Sequence, residues 1–251
     1  MHKVAFILAI CLTSSVALPQ PRIAGGSLAT VAQHPYAAVF LYARDNVNYL
    51  YQCGGTIINN RSVLTAALCW GFRPAHQIRI RVGSSYANSG GIVHGVRQLI
   101  EHPNLDDRTE DSNIGIVRVA TAFTFGNNVR AGLIAGSNYI VLENQAVWAI
   151  GWGQKGEGEQ LSEQLRQVQI RKVSQSVCRS YHVSRYISPN MLCAGWEGGG
   201  RGSCWSDHGS PLLHNDIVVG ITSFGTGCGA SEYPSIYTKV SRFTSWISSN
   251  A

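Results

Sequence analysis

The sequence predicts an all-β fold, a barrel or a sandwich, closed by one helix at the C-terminus. Three observations predict it. Short runs recur in which alternation combines with β-branched and aromatic residues. Clusters of Gly, Asn and Ser separate those runs. The composition agrees: 27 glycines and only 14% charged residues in 251, with 45% hydrophobic residues to fill a core.

The runs can be placed in order. "YAAVFLYA" begins at Tyr36, "QIRIRVGS" at Gln77, "AVWAIGWG" at Ala146, "QVQIRKV" at Gln167 and "DIVVGITSFG" at Asp216. Between them lie "NSGG", "FGNN", "AGSN" and "EGGGRGS", all turn-forming. "TAALCW" and "SQSVCRSYH" each suit a short helix or turn. In "IYTKVSRFTSWISSNA", Val240, Phe243, Trp246 and Ile247 fall on one helical face, which predicts the closing amphipathic helix. There is no internal repeat, heptad pattern or low-complexity tract.

The first residues read as a secretory signal over 1–17. Lys3 supplies the positive start, "VAFILAICL" the apolar run, and Ser15 to Ala17 the small-residue cleavage pattern. The run is too short to span a bilayer comfortably, and no later segment is long and apolar enough. The expected location is therefore extracellular. Cys11 leaves with the signal, and six cysteines remain: Cys53, Cys69, Cys178, Cys193, Cys204 and Cys228. An even number in an exported chain implies disulfides, and spacing alone does not choose their pairing. No CxxC pair is present, so a zinc site is not expected, and His208 with only His214 near it in sequence makes no metal site. No cofactor is expected. Asn60-Arg61-Ser62 is a glycosylation sequon.

The formal net charge is +6, and it becomes +4 when Lys3 and Arg22 leave with the first 22 residues. Arg79, Arg81, Arg166, Arg171 and Lys172 could form a basic face for polyanions, although such residues more often solvate a strand. Nothing resembles a nucleic-acid module.

Several motifs, in order along residues 23–249, together resemble the chymotrypsin/trypsin family of secreted serine proteases, in character nearest to insect digestive trypsins. They are "RIAGG", "CGGTIINNRSVLTAALC", "DSNIGIVRV", "WAIGWG", "MLCAG", "SCWSDHGSPLL", "VGITSFG" and "PSIYTKV". The resemblance implies two packed six-stranded antiparallel β-barrels over 23–251 with the cleft between them, preceded by a short propeptide, 18–22. It implies disulfides Cys53–Cys69, Cys178–Cys193 and Cys204–Cys228. It also implies activation by cleavage between Arg22 and Ile23, whose new amine would pair with Asp207.

The resemblance further places Leu68 where the family has the base, Asn113 where it has the orienting carboxylate, and His208 where it has the nucleophile. Leucine accepts no proton. Losing the carboxylate alone costs on the order of 10⁴ in rate. Ser206 replaces the glycine that supplies an oxyanion donor, and a side chain disfavours the dihedral that position needs; one lost donor costs about 10²–10³. Ser210 also replaces a family glycine. The specificity pocket would be lined by Gly202, Ser203, Trp205, Ser223, Phe224, Gly225 and Ser235, with no carboxylate to select Lys or Arg. A site rebuilt from His208, Ser206 or Ser210 with Asp111 is disfavoured, because Asp111 lies two strand residues, roughly 6–7 Å, from Asn113.

The sequence therefore suggests a secreted, monomeric, catalytically inactive homologue. It would act by binding protease inhibitors, proteases or zymogens, as a decoy or regulator of proteolysis. A weak or atypical serine-type endopeptidase and a polyanion-binding effector are the alternatives.

Overall fold

The computed structural model describes residues 24–251. The signal segment, the 18–22 propeptide, Arg22 and Ile23 lie outside the described residues.

The first half supplies β1 (Ser27–Leu28), β2 (Ala37–Tyr42), β3 (Leu50–Ile57), β4 (Ser62–Thr65), β5 (Ile78–Val82), β6 (Ile92–Glu101) and β7 (Gly115–Val119). The second supplies β8 (Leu133–Ile134), β9 (Ala146–Gly151), β10 (Arg166–Val173), helix α1 (Gln175–Tyr181), β11 (Met191–Gly195), β12 (Pro211–His214), β13 (Ile217–Phe224), β14 (Ser235–Lys239) and helix α2 (Thr244–Asn250). Strands β2-β3-β4-β7-β6-β5 close one antiparallel barrel. A second six-stranded ring follows the order β10-β11-β14-β13-β12-β9 and closes through β9–β10 pairing, with β1 and β8 attached outside it. The two barrels that the resemblance implies are the fold.

Alternation positions the first barrel. In β5 the residues Ile78, Ile80 and Val82 face the core, while Arg79 and Arg81 face outward half-buried, as period-2 geometry requires. In β2 all but the last residue are buried, so both faces of this strand are covered. Helix α1 is capped by Ser174, whose Oγ accepts the Val177 N–H at 3.1 Å.

At the C-terminus the helix is shorter than the apolar face suggests. Val240 lies in a 3₁₀ turn, Val240–Arg242, and α2 begins only at Thr244. Val240, Phe243 and Ile247 are all buried as the pattern requires. Both Trp246 and Phe243 pack edge-on against His102. The three disulfides join Cys53–Cys69, Cys178–Cys193 and Cys204–Cys228.

Candidate functional site

The cleft side of the first barrel ends in a 3₁₀ turn, Ala67–Cys69, fastened to β3 by the Cys53–Cys69 disulfide. Half-buried Leu68 sits in this turn. Its N–H donates to Asn113 Oδ1 at 3.0 Å, and Asn113 Nδ2 donates to Ser223 Oγ at 2.9 Å. The Asn113 carbonyl accepts from Thr238 Oγ1 at 2.7 Å. Asn113 is thus buried between the barrels and bonded to both of them. Asparagine fills this place because an amide can accept from one side and donate to the other.

The second barrel presents the loop Cys204–Ser210. Asp207, buried at its centre, accepts the Gly153 N–H on Oδ1 at 2.8 Å and the Cys204 N–H on Oδ2 at 2.9 Å. Burial pushes its carboxyl up to about 7, against the lowering effect of those two N–H groups. The approach is close: a Cβ on Gly153 would collide with the Asp207 carboxyl, so glycine is required there. Ser206 adopts φ +69°, the left-handed region that its side chain disfavours, and its carbonyl accepts the Tyr51 hydroxyl at 2.7 Å. The expectation that a side chain would move this residue away from the glycine-like conformation is not met.

His208 follows. Its carbonyl accepts the Gly54 N–H at 2.8 Å, which fixes the loop to the first barrel. None of the described residues hydrogen-bonds its ring, and burial lowers its pKa, so the imidazole is neutral at pH 7. His208 lines a cavity of about 20 Å³ together with Ser203, Cys204, Trp205, Phe224, Gly225 and Ser235. Of the pocket residues read from the sequence, Gly202 is buried behind this lining and Ser223 is engaged with Asn113. Ser203 Oγ shares a hydrogen bond with the Tyr237 hydroxyl, 2.7 Å away. Trp205 stands 45% exposed at the rim. Arg201 turns from the pocket to stack on Trp196, 4.3 Å from the ring centre.

Sequence reasoning missed two residues at this cleft. Arg185 lies 4.6 Å over the Phe224 ring and pairs with Glu110 at 3.2 Å. Glu110 precedes the DSNIG motif and carries no signal of its own. Asp111, the candidate replacement carboxylate, instead accepts from Ser188 Oγ at 2.5 Å and from Asn190 Nδ2 at 3.2 Å. It does not serve Leu68 or His208. The basic residues are also occupied locally: Arg79 stacks on Tyr49, Arg171 donates to the Asn144 carbonyl, and Arg166 donates to the Gly26 carbonyl.

The family model for trypsin matches residues 23–247. The chain belongs to the trypsin family. It is 48% identical to Trypsin CFT-1 of Choristoneura fumiferana, with all of both chains covered. Identity to Trypsin, alkaline C of Manduca sexta is 44%, covering 98% of each. Identity to Achelase-1 of Lonomia achelous is 42%, covering 91% of this chain and 100% of that one.

These relatives correct the sequence reading. The expectation of a catalytically inactive homologue, a decoy rather than an enzyme, is overturned by whole-length likeness to proteins named trypsins. With it falls the inhibitor-absorbing role built on inactivity; the polyanion-binding alternative rested instead on a basic face whose Arg79, Arg166 and Arg171 are engaged locally. The physical reason is that the inference ran from single side chains, Leu68, Asn113 and His208 with Ser206 and Ser210 beside them. Trypsin-family rate assistance also resides in the binding cleft and backbone donors, which sustain about 10³–10⁴ over water without an intact triad. No helix among the described residues is long and apolar enough to cross a membrane.

Proposed function

We propose that the chain is an atypical trypsin-family endopeptidase that binds polypeptide between its barrels and hydrolyses it slowly. The names of the relatives support the activity class. The observation that carries the reading is the retained bracing of the cleft: Asn113 ties Leu68 to Ser223, and Asp207 holds the loop on which Ser206 keeps φ +69°. The side chains set the rate. Leucine at 68, asparagine at 113 and histidine at 208 leave no hydroxyl–imidazole–carboxylate relay at these positions. Binding and the backbone donor at Ser206 remain, at the level of about 10³–10⁴ over uncatalysed hydrolysis. The neutral His208 imidazole is the group placed to accept a proton from an attacking water.

The pocket favours a small, uncharged substrate side chain. Its cavity of about 20 Å³ has no carboxylate in its lining, which argues against selection of Lys or Arg. Secretion, removal of 1–17 and 18–22, and pairing of the Ile23 amine with Asp207 complete the reading. They are supported by the apolar N-terminal run and by the buried carboxyl, whose charged form a cation would stabilise. Three internal disulfides use all six cysteines beyond the signal, which suits a monomer. Asn60 is exposed in the tight turn between β3 and β4, a place where a glycan could be carried without disturbing the barrel.

The test is turnover of a mixed peptide library by Arg22-cleaved protein, beside His208→Ala and a triple variant Leu68→His, Asn113→Asp, His208→Ser. The expected result is slow cleavage that falls with His208→Ala and rises by about 10³ or more in the triple variant. Cleaved chain that turns over no faster than a buffer blank overturns the reading.

A further inference from the structure

A groove of about 320 Å³ opens on the second barrel, lined among others by Ile140, Val141, Leu192, Val219, Lys172 and Lys239. Its base is the barrel wall, since Leu192, Val219 and Lys239 belong to β11, β13 and β14. Its cover is the connection between the barrels, anchored where the Ala135 N–H donates to the Val218 carbonyl at 2.9 Å. This groove plays no part in the cleft chemistry.

Two features of it are unusual together. Lys172 and Lys239 are both half-buried, and burial, with Arg242 and Lys172 nearby, holds the Lys239 ammonium below its ordinary pKa. The one ion pair among the described residues is Arg185–Glu110, so neither ammonium has a carboxylate partner. Arg242 adds a third positive charge near Lys239. Half-buried like charges facing one groove are unfavourable unless an anion enters. Beside them the covering segment exposes large aliphatic side chains: Ile140 is 71% exposed and Leu142 62%. Neither side chain is used by the fold, and clustered exposed aliphatics mark contact sites.

The geometry points to a binding site for an amphipathic anion, a carboxylate on an alkyl tail. The head would sit between the ammoniums of Lys172 and Lys239, and the tail would lie along Val141, Leu192 and Val219 under Ile140. Charge complementarity selects the head and the apolar lining selects the tail. The site is independent of the endopeptidase reading, because it lies apart from His208 and its occupancy is read by binding alone.

Calorimetric titration of the full chain with dodecanoate, kept below its micelle concentration, tests the inference. Saturable binding at one site is expected, weakened by about tenfold or more in Lys172→Met and in Lys239→Met, since each removes one charge-assisted contact while keeping the stem. Ile140→Ser, at an exposed position that no packing depends on, should also weaken it. Butyrate, with the head but no tail, should bind at least about tenfold more weakly. Three results would overturn the inference: dodecanoate bound equally by the Lys172→Met/Lys239→Met double variant, dodecyltrimethylammonium bound as tightly as dodecanoate, or no saturable binding at all.

Discussion

Asn113 joins Leu68 to Ser223, accepting the Leu68 N–H at 3.0 Å on one amide atom and donating to the Ser223 hydroxyl at 2.9 Å from the other. The pair of bonds spans the barrel interface, and Asn113 and Ser223 are both buried. Truncation at 113 leaves a half-buried N–H and a buried hydroxyl without partners, each costing about 1–3 kcal/mol, the N–H at the lower end. Asn113→Ala should therefore destabilise the chain by about 2–4 kcal/mol, a sum of two such losses partly relieved by water. Asn113→Asp should cost far less, because the Ser223 hydroxyl can rotate to donate to a carboxylate. Urea denaturation of both variants separates the cases; equal losses would mean that the bracing does not depend on these bonds.

Asp207 makes stability pH-dependent. Its carboxyl is pushed up to about 7 by burial, from an ordinary value of 3.8. An acid with a higher folded than unfolded pKa binds more protons in the folded state between the two values. The stability it contributes is thus fully present below about pH 4 and is lost as pH rises toward 7, by about 4 kcal/mol over the full shift. The uncleaved chain should lose stability across that window, and Asp207→Asn should flatten the loss. Cleavage at Arg22, by giving the carboxylate a cation, should reverse the slope. Melting temperatures from pH 4 to 8 read all three; identical slopes for the parent chain and the Asp207→Asn variant would remove Asp207 as the cause.

The fold was legible where side chains alternate. β5 follows the period-2 pattern throughout and β9 over its first four residues, and the buried face of the terminal turn and helix follows Val240, Phe243 and Ile247. β6 was not legible from composition, since most of Ile92–Glu101 is exposed or half-buried and shows no clean alternation. β3 is not among the strand runs read from the sequence, because it carries Gly54 and Gly55, which have low strand propensity. They are needed because Ser210 and Val63 pack where their Cβ atoms would be. The motif positions Leu68 and Asn113 are bonded to each other, and Asp207 is buried in the loop that carries His208. The Arg185–Glu110 pair was not legible, because its partners lie 75 residues apart and neither belongs to a motif. The functional inference failed for a different reason: side-chain identity at Leu68, Asn113, His208, Ser206 and Ser210 does not report on the scaffold around them.

Ser206 holds φ +69°, a conformation in which an L side chain costs about 1–2 kcal/mol. Glycine removes that strain and returns about 0.5–1 kcal/mol to the unfolded chain as entropy. Ser206→Gly should therefore leave stability unchanged or raise it by up to about 1 kcal/mol. It should also preserve the Tyr51 bond, which uses only the backbone carbonyl. A loss above about 1 kcal/mol in denaturation would mean that the serine side chain contributes a contact of its own.

The Cys204–Cys228 disulfide closes a loop with a sequence separation of 24 and ties the segment carrying Trp205, Asp207 and His208 to the loop after β13. Chain-entropy arguments assign such a cross-link about 3 kcal/mol. Cys204→Ala with Cys228→Ala should cost about that much in urea denaturation, and its local effect should be larger than its global one. Cys204 N–H donates to Asp207, so loosening the loop releases the carboxyl from one of its two donors and admits water. Burial is what raises the Asp207 carboxyl, so the pH slope between 4 and 7 should shrink in the double variant. A full-size slope with reduced overall stability would show that the Gly153 donor and the surrounding core hold Asp207 without the disulfide.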